Sequence, residues 1–339
     1  MELLHTGQFL AISRQTPEQL PLGQQIKLSN GVSCIVKCAG VIVFEPKTVS
    51  HKHIILSSGV HGNETAPVEI CDQLVQDILL QRIVPVHRVM FIFGNLPAMD
   101  IEKRFVQENL NRLFKQGLIA QHPEEHRAVE LMNCVDEFYA LANGDQQDSN
   151  TVKIHYDLHT AIRDSKNEKF VVYPYLYGRE HNKEQLQFLS DCDVNTVLLS
   201  QGPTTTFSHY SSKNHNAHGF TVELGKVKPF GQNDMTRFEK ARHMLVKLLC
   251  QLEPALTPYD ECPLEIFKVA QEVMKTKEDF KLHFADDVAN FTEFAQGELI
   301  ASESGVEFRA IHPNEAIVFP NANVEIGQRA LLTVVPCAI

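Results

Sequence analysis

The chain has 339 residues, 43% hydrophobic and 22% charged, with a formal net charge of -11. That is the composition of a water-soluble globular protein, long enough for about two domains. It holds no apolar run of spanning length, and an acidic chain without clustered Lys and Arg is a poor partner for nucleic acid or an anionic membrane, although a locally positive pocket can still take a small anion.

The opening residues, MELLHTGQFLAISRQTPEQL, lack a basic stretch followed by an apolar core, so no secretory signal is expected. Eight scattered cysteines (Cys34, Cys38, Cys71, Cys134, Cys192, Cys250, Cys262, Cys337) show no tetrahedral ligand spacing. They read as reduced core thiols, which places the chain in the cytoplasm.

Residues 1–50 read as short strands and turns, with β-rich runs in GVSCIVKCAGVIVFEP. Residues 54–60 form a short buried strand bounded by a glycine, and the chemistry begins where it ends, in HGNETAP. His61 and Glu64 lie three apart at that turn. An imidazole and a carboxylate converging on one point are two of the three protein ligands of a catalytic zinc, which keeps its fourth position open. Alone, the pair is equally compatible with an exposed polar turn.

Apolar spacing predicts a helix over 68–80, with Pro67 suited to its first turn, and residues 88–93 a second buried strand. Strand, helix, strand is a βαβ unit, so the sheet should be largely parallel with functional loops at the C-terminal strand ends. The next segment, GNLPAMDIEKRFVQENLNRLF, carries Arg104, Asn111 and Arg112. Such a charge run is ordinarily a solvated face, but Leu110 and Phe114 can hold Asn111-Arg112 against the body, where a guanidinium and an amide would take a carboxylate.

A helix is expected over 122–141, then a loop in ANGDQQDSN. In 152–159, alternation puts His155, Asp157 and His159 on one face and Ile154, Tyr156 and Leu158 on the other. His159, at the strand's C-terminal end, is the candidate third ligand, with Asp157 either orienting it or holding nearby loop backbone. TFSHYSSKNHNAHG reads as loop, making His209, His215 and His218 candidates to line a pocket. Glu223, alternating with apolar residues in FTVELG, is either half of an ion pair, with Lys226 as partner, or a general base. A closing helix over 237–252 and PALTP set a boundary: 1–255 as the catalytic domain and 256–339 as a smaller β-rich domain.

The order His61-x-x-Glu64, Arg104, Asn111-Arg112, His159, Glu223 resembles the zinc metallocarboxypeptidase superfamily, and within it the aspartoacylase/succinylglutamate desuccinylase family. The resemblance covers nearly the whole chain and rests on HGNETAPVE, RFVQENLNRLF, DLHTAIR, TVELGK, PFGQND and VFPN. HGNETAPVE, DLHTAIR and PFGQND lean to the desuccinylase side. One departure is Asn109, where many relatives carry Asp before Leu-Asn-Arg.

The resemblance implies a mixed, largely parallel α/β sheet flanked by helices, with a C-terminal β domain. It also implies one zinc ion on His61, Glu64 and His159, with Glu223 as acid and base, Arg104 stabilising the oxyanion, and Asn111 and Arg112 holding a substrate carboxylate. Arg163 and Lys226 are candidates for another carboxylate by charge and position. The implied reaction is hydrolysis of N2-succinyl-L-glutamate to succinate and L-glutamate in arginine catabolism. A related hydrolase of N-acetylaspartate or of a peptide C-terminus, and a silent binding module of the same fold, are the alternatives. The sequence is silent on oligomeric state.

Overall fold

The computed structural model describes residues 6–48, 51–140 and 151–339. The ANGDQQDSN loop expected from the sequence lies outside them. In chain order the strands are β1 (Gln25–Lys27), β2 (Ser33–Cys38), β3 (Val41–Glu45), β4 (Lys52–Ser58), β5 (Arg88–Phe93), β6 (Val152–Ala161), β7 (Phe170–Tyr173), β8 (Thr196–Leu199), β9 (His218–Lys226), β10 (Glu265–Met274), β11 (Lys281–Leu282), β12 (Thr292–Phe294), β13 (Leu299–Glu303), β14 (Val306–Arg309), β15 (Glu315–Val318) and β16 (Arg329–Pro336). The helices are α1 (Phe9–Gln15), α2 (Thr65–Leu79), α3 (Leu96–Asp100), α4 (Pro123–Ala140), α5 (Lys183–Asp191), α6 (Phe207–His215) and α7 (Glu239–Cys250).

Thirteen strands form one mixed sheet in the order β1-β2-β3-β5-β4-β6-β9-β7-β8-β10-β16-β15-β12, and β11-β13-β14 form a second. Its middle is parallel: β4 pairs β5 and β6, and β6 pairs β9. Every residue of β4 and β5 is buried, as strands covered on both faces require. One core cluster packs α1, α2 and α7 against one face, and another packs α4 and α6 against the opposite face. Of the β-rich runs after residue 259, β10, β16, β15 and β12 continue the main sheet, because β10 pairs in parallel with β8 on one side and antiparallel with β16 on the other, while β11, β13 and β14 make the second sheet. Among the described residues no helix is long and apolar enough to cross a membrane.

Two readings are corrected. The first 50 residues hold a helix, α1, whose Phe9, Leu10 and Ser13 are buried. The stretch read as a loop around His209 is the helix α6. Its Ser, Asn and His content reads as loop, yet its hydroxyls find buried partners: Ser208 with Thr221 at 2.8 Å and Ser212 with Arg179 at 2.6 Å. The eight cysteines are free thiols, and burial pushes Cys34 up to about 11.

Candidate metal and catalytic centre

The site is assembled at the C-terminal ends of parallel strands β4, β6 and β9. β4 ends at Ser58, and Gly59 turns the chain with φ +63°, a conformation that glycine adopts at no steric cost. Gly62 then passes so close to α3 that a Cβ there would lie 2.2 Å from the Ala98 carbonyl carbon. These two glycines let His61 and Glu64 turn back over the strand ends just before α2 begins at Thr65.

His61, Glu64 and His159 are all buried, and their ligand atoms lie within 4.8 Å of one another. Glu64 Oε1 is 2.9 Å from His61 Nδ1, and Glu64 Oε2 is 2.8 Å from His159 Nδ1. The Thr160 amide also donates to Glu64 Oε2 at 3.2 Å. The two imidazoles turn their other nitrogens outward to fixed acceptors: His61 Nε2 to Asn109 Oδ1 at 2.9 Å and His159 Nε2 to Asp157 Oδ2 at 2.8 Å. Outer acceptors of this kind fix a ligand histidine's tautomer and ring plane, leaving both Nδ1 atoms facing the shared point.

His61 Nδ1 and Glu223 Oε2 are among the buried atoms that lack a hydrogen-bond partner in the described residues; His61 Nδ1 is close to Glu64 Oε1 but not in hydrogen-bond geometry with it. An unbonded imidazole nitrogen beside a carboxylate and a second imidazole is a converging set of cation ligands. The residues therefore fit a divalent metal ion. A second set, Glu108, His122 and Glu125, has comparable spacing but lies nearer the surface, where His122 Nε2 already bonds Glu108 at 2.7 Å.

Electrostatics separates the carboxylates. Burial works against the charge on Glu64, but His61, His159 and Arg104 outweigh it and hold its carboxyl well below the usual range. Arg104 Nη1 donates to Glu64 Oε1 at 2.6 Å. Burial lowers His61 to about 4, so its imidazole is neutral. Glu223 goes the other way: burial first, and then the charge of Glu64, push it up to about 7. Its strand places it opposite His159, as register partners of β9 and β6. Glu223 makes no pair with Lys226, whose Nζ is 2.7 Å from Asp164 Oδ2 at the surface.

The polar segment 104–114 is pinned as a loop against the body. Glu124 Oε1 accepts the amides of Val106 and Gln107 at 2.7 and 3.1 Å, and Phe114 stacks on Phe207 with ring centroids 4.1 Å apart. Asn111 is buried and its Oδ1 accepts the Phe207 amide at 2.9 Å. With the oxygen taken, its amino group is left as a directed donor. Arg112 reaches the surface, yet burial, and then Arg329 and Arg104, lower its pKa to about 10. Three guanidiniums lie within electrostatic reach, Arg104 paired with buried Glu64, Arg329 4.0 Å from Glu272, and Arg112 bonded to the Asn111 carbonyl, and they form a locally positive region on an acidic protein.

Arg163 donates to the carbonyls of Val288 and Pro320, both at 3.1 Å, so its guanidinium ties β6's loop to the C-terminal strands. The three loop-assigned histidines are also engaged elsewhere: His209 with Tyr177, His215 with Asp136 and His218 with Asn182. Sequence reading missed Ser57, Ser211 and Arg329. The first two are hydroxyls in apolar surroundings, and Arg329 stands more than a hundred residues after Glu223, with no spacing to betray it.

Two family models match the chain: the succinylglutamate desuccinylase/aspartoacylase catalytic domain over residues 50–249, and the AstE/AspA barrel-sandwich hybrid domain over 262–337. The chain is 50% identical to the succinylglutamate desuccinylase of Pseudoalteromonas atlantica, over 99% of this chain and 96% of the relative. Among solved structures, it superposes on succinylglutamate desuccinylase from Vibrio parahaemolyticus with a TM-score of 0.87 at 34% identity, covering 97% of this chain and 94% of the other. For the Chromobacterium violaceum enzyme the values are 0.85 and 35%, with 98% of each chain covered.

Proposed function

We propose that this chain, which belongs to the succinylglutamate desuccinylase/aspartoacylase family, is a zinc-dependent amide hydrolase that converts N2-succinyl-L-glutamate and water to succinate and L-glutamate. The observation that carries the reading is the near-full-length similarity to relatives bearing that activity in their names. The convergence of His61, Glu64 and His159 beside a proton-holding Glu223 supports it.

His61, Glu64 and His159 would hold one zinc ion, two imidazoles and a carboxylate being a donor set that suits it, with His159, which Asp157 and Glu64 hold protonated despite burial, giving up its Nδ1 proton on binding. Zinc in that position supplies a Lewis acid for the amide carbonyl and makes a water nucleophilic near neutral pH. Glu223, with a pKa of about 7, takes the proton from the attacking water at its carboxylate and returns it to the departing amine of glutamate. Arg104 spends one N–H on Glu64 and has others for the charge that develops on the carbonyl oxygen. Asn111 Nδ2 and Arg112 take a substrate carboxylate. Arg163 and Lys226 have protein partners to leave before reaching substrate, and they form the outer part of the proposal.

The substrate carries three carboxylates and no cation, which matches the cluster of Arg104, Arg112 and Arg329 in an acidic protein. Residues 1–255 form the catalytic unit and 256–339 the β-rich unit, a division that the two family models support. The eight free thiols and the bacterial source of the relatives support a cytoplasmic location.

The test is a parallel assay of zinc-loaded protein on succinylglutamate, acetylglutamate and acetylaspartate, with and without chelator. Turnover should be highest on succinylglutamate and vanish with chelator. Preference for acetylaspartate would move the chain to the aspartoacylase side of the family.

A further inference from the structure

A chain of buried polar groups runs from His159 into the core, and the reaction described above uses none of its far members. Asp157 Oδ1 is 2.6 Å from Ser57 Oγ, Ser57 Oγ is 2.8 Å from His155 Nε2, and His155 Nδ1 is 2.7 Å from Ser211 Oγ. Ser57, His155, Asp157 and Ser211 are each 0% exposed. Placing four polar side chains in the centre of a sheet is costly unless each is satisfied, and here each is.

The donor directions in this chain follow from its chemistry. Asp157 accepts only, so Ser57 spends its single hydroxyl hydrogen on Oδ1. The contact with His155 must then be received by Ser57, which puts the hydrogen of His155 on Nε2. Burial lowers His155 to about 4, so the ring is neutral and Nδ1 carries the lone pair that accepts from Ser211. Every donor points the same way: Ser211 to His155, His155 to Ser57, Ser57 to Asp157. The other oxygen of Asp157 is left to receive the Nε2 hydrogen of His159, whose Nδ1 then faces the shared ligand point.

We propose that His155, with Ser57 and Ser211, is a positioning residue that fixes Asp157 and thereby holds His159 in the metal-binding tautomer and ring orientation. Phe207 backs it, edge-on to the His155 ring at 4.8 Å between centroids. The same helix that supplies Ser211 also fixes Asn111 through the Phe207 amide. Helix α6 thus orients the metal side and the substrate side of one site.

This inference rests on the metal-site reading, and its test separates the two. Full-length wild type, Ser57→Ala, His155→Gln, Ser211→Ala and Ser211→Thr are stripped of metal. Each is then titrated with zinc against a competing chelator, and with Co(II) followed by visible absorption. Removing a group that orients a metal ligand weakens metal binding by about tenfold or more, so Ser57→Ala and His155→Gln should lose on the order of tenfold, and Ser211→Ala, one hydrogen bond further out, less than that. All three should carry an altered cobalt spectrum, and Ser211→Thr should restore affinity and spectrum. Variants that bind both ions with wild-type affinity and spectrum, whether or not their metal-free unfolding temperature falls, overturn the inference while leaving the metal site standing. A wild type that binds neither ion overturns both.

Discussion

His159 and Glu223 are register partners on neighbouring parallel strands, β6 and β9, so a candidate metal ligand and the carboxyl with the raised pKa are held side by side by sheet hydrogen bonds. Neither depends on a flexible loop for its place. A sheet end fixes spacing to a fraction of an ångström, as the proton transfer proposed for Glu223 requires.

That placement makes the stability of the metal-free protein depend on pH through Glu223. Its carboxyl is raised from the ordinary 4.5 to about 7, so the folded chain prefers the neutral form. The contribution is whole below about 4.5 and is lost as pH rises through about 7, a swing on the order of 3 kcal/mol. Metal-free Glu223→Gln should match wild type in thermal unfolding at pH 4.5 and exceed it at pH 8. Parallel curves across that range would show an unperturbed carboxyl.

Metal should stabilise the fold in proportion to its occupancy. Zinc at about a hundred times its dissociation constant adds about 2.7 kcal/mol to the unfolding free energy. In differential scanning calorimetry, that upward shift should appear for wild type and be absent in His61→Ala and His159→Ala. A shift of equal size in either variant would place the ion elsewhere.

Asn109 holds His61 through a neutral amide oxygen, whereas Asp157 holds His159 through a carboxylate. Asn109→Asp should therefore tighten zinc about tenfold by making His61 a more basic ligand. The measurement is a chelator competition, and unchanged or weaker affinity would mean that His61 is indifferent to this partner.

Arg112 and Arg329 should act on binding more than on chemistry. Arg329→Gln should raise KM for succinylglutamate about tenfold with kcat nearly unchanged, and Arg112→Gln should do at least as much. A fall in kcat at constant KM for Arg329→Gln would place that residue in the chemical step instead.

Much of this site was legible because its carriers sit where strand period and chain order speak clearly. Alternation in 152–159 put His155, Asp157 and His159 on one face, and the buried run 54–60 ending in a glycine put His61 at a strand end. The β-rich character after residue 259 was equally plain, since LEIFKVAQEV and RALLTVVP lie within or along β10 and β16. Helix α6 was not, because Ser and Asn compete with helix in isolation and only their buried partners on β6 and β9 reverse that preference. Helix α1 was missed for want of length: seven residues bury one short stripe against α2 and α3. Arg329 comes within electrostatic reach of Arg112 through the pairing of β16 with β10, a long-range fact that local pattern does not encode.

The most direct test of the central claim is a paired measurement on Glu223→Ala: bound zinc per chain, and turnover of succinylglutamate. The site described here predicts wild-type zinc content with turnover reduced at least a thousandfold. Wild-type-like turnover in that variant would remove Glu223 from the mechanism.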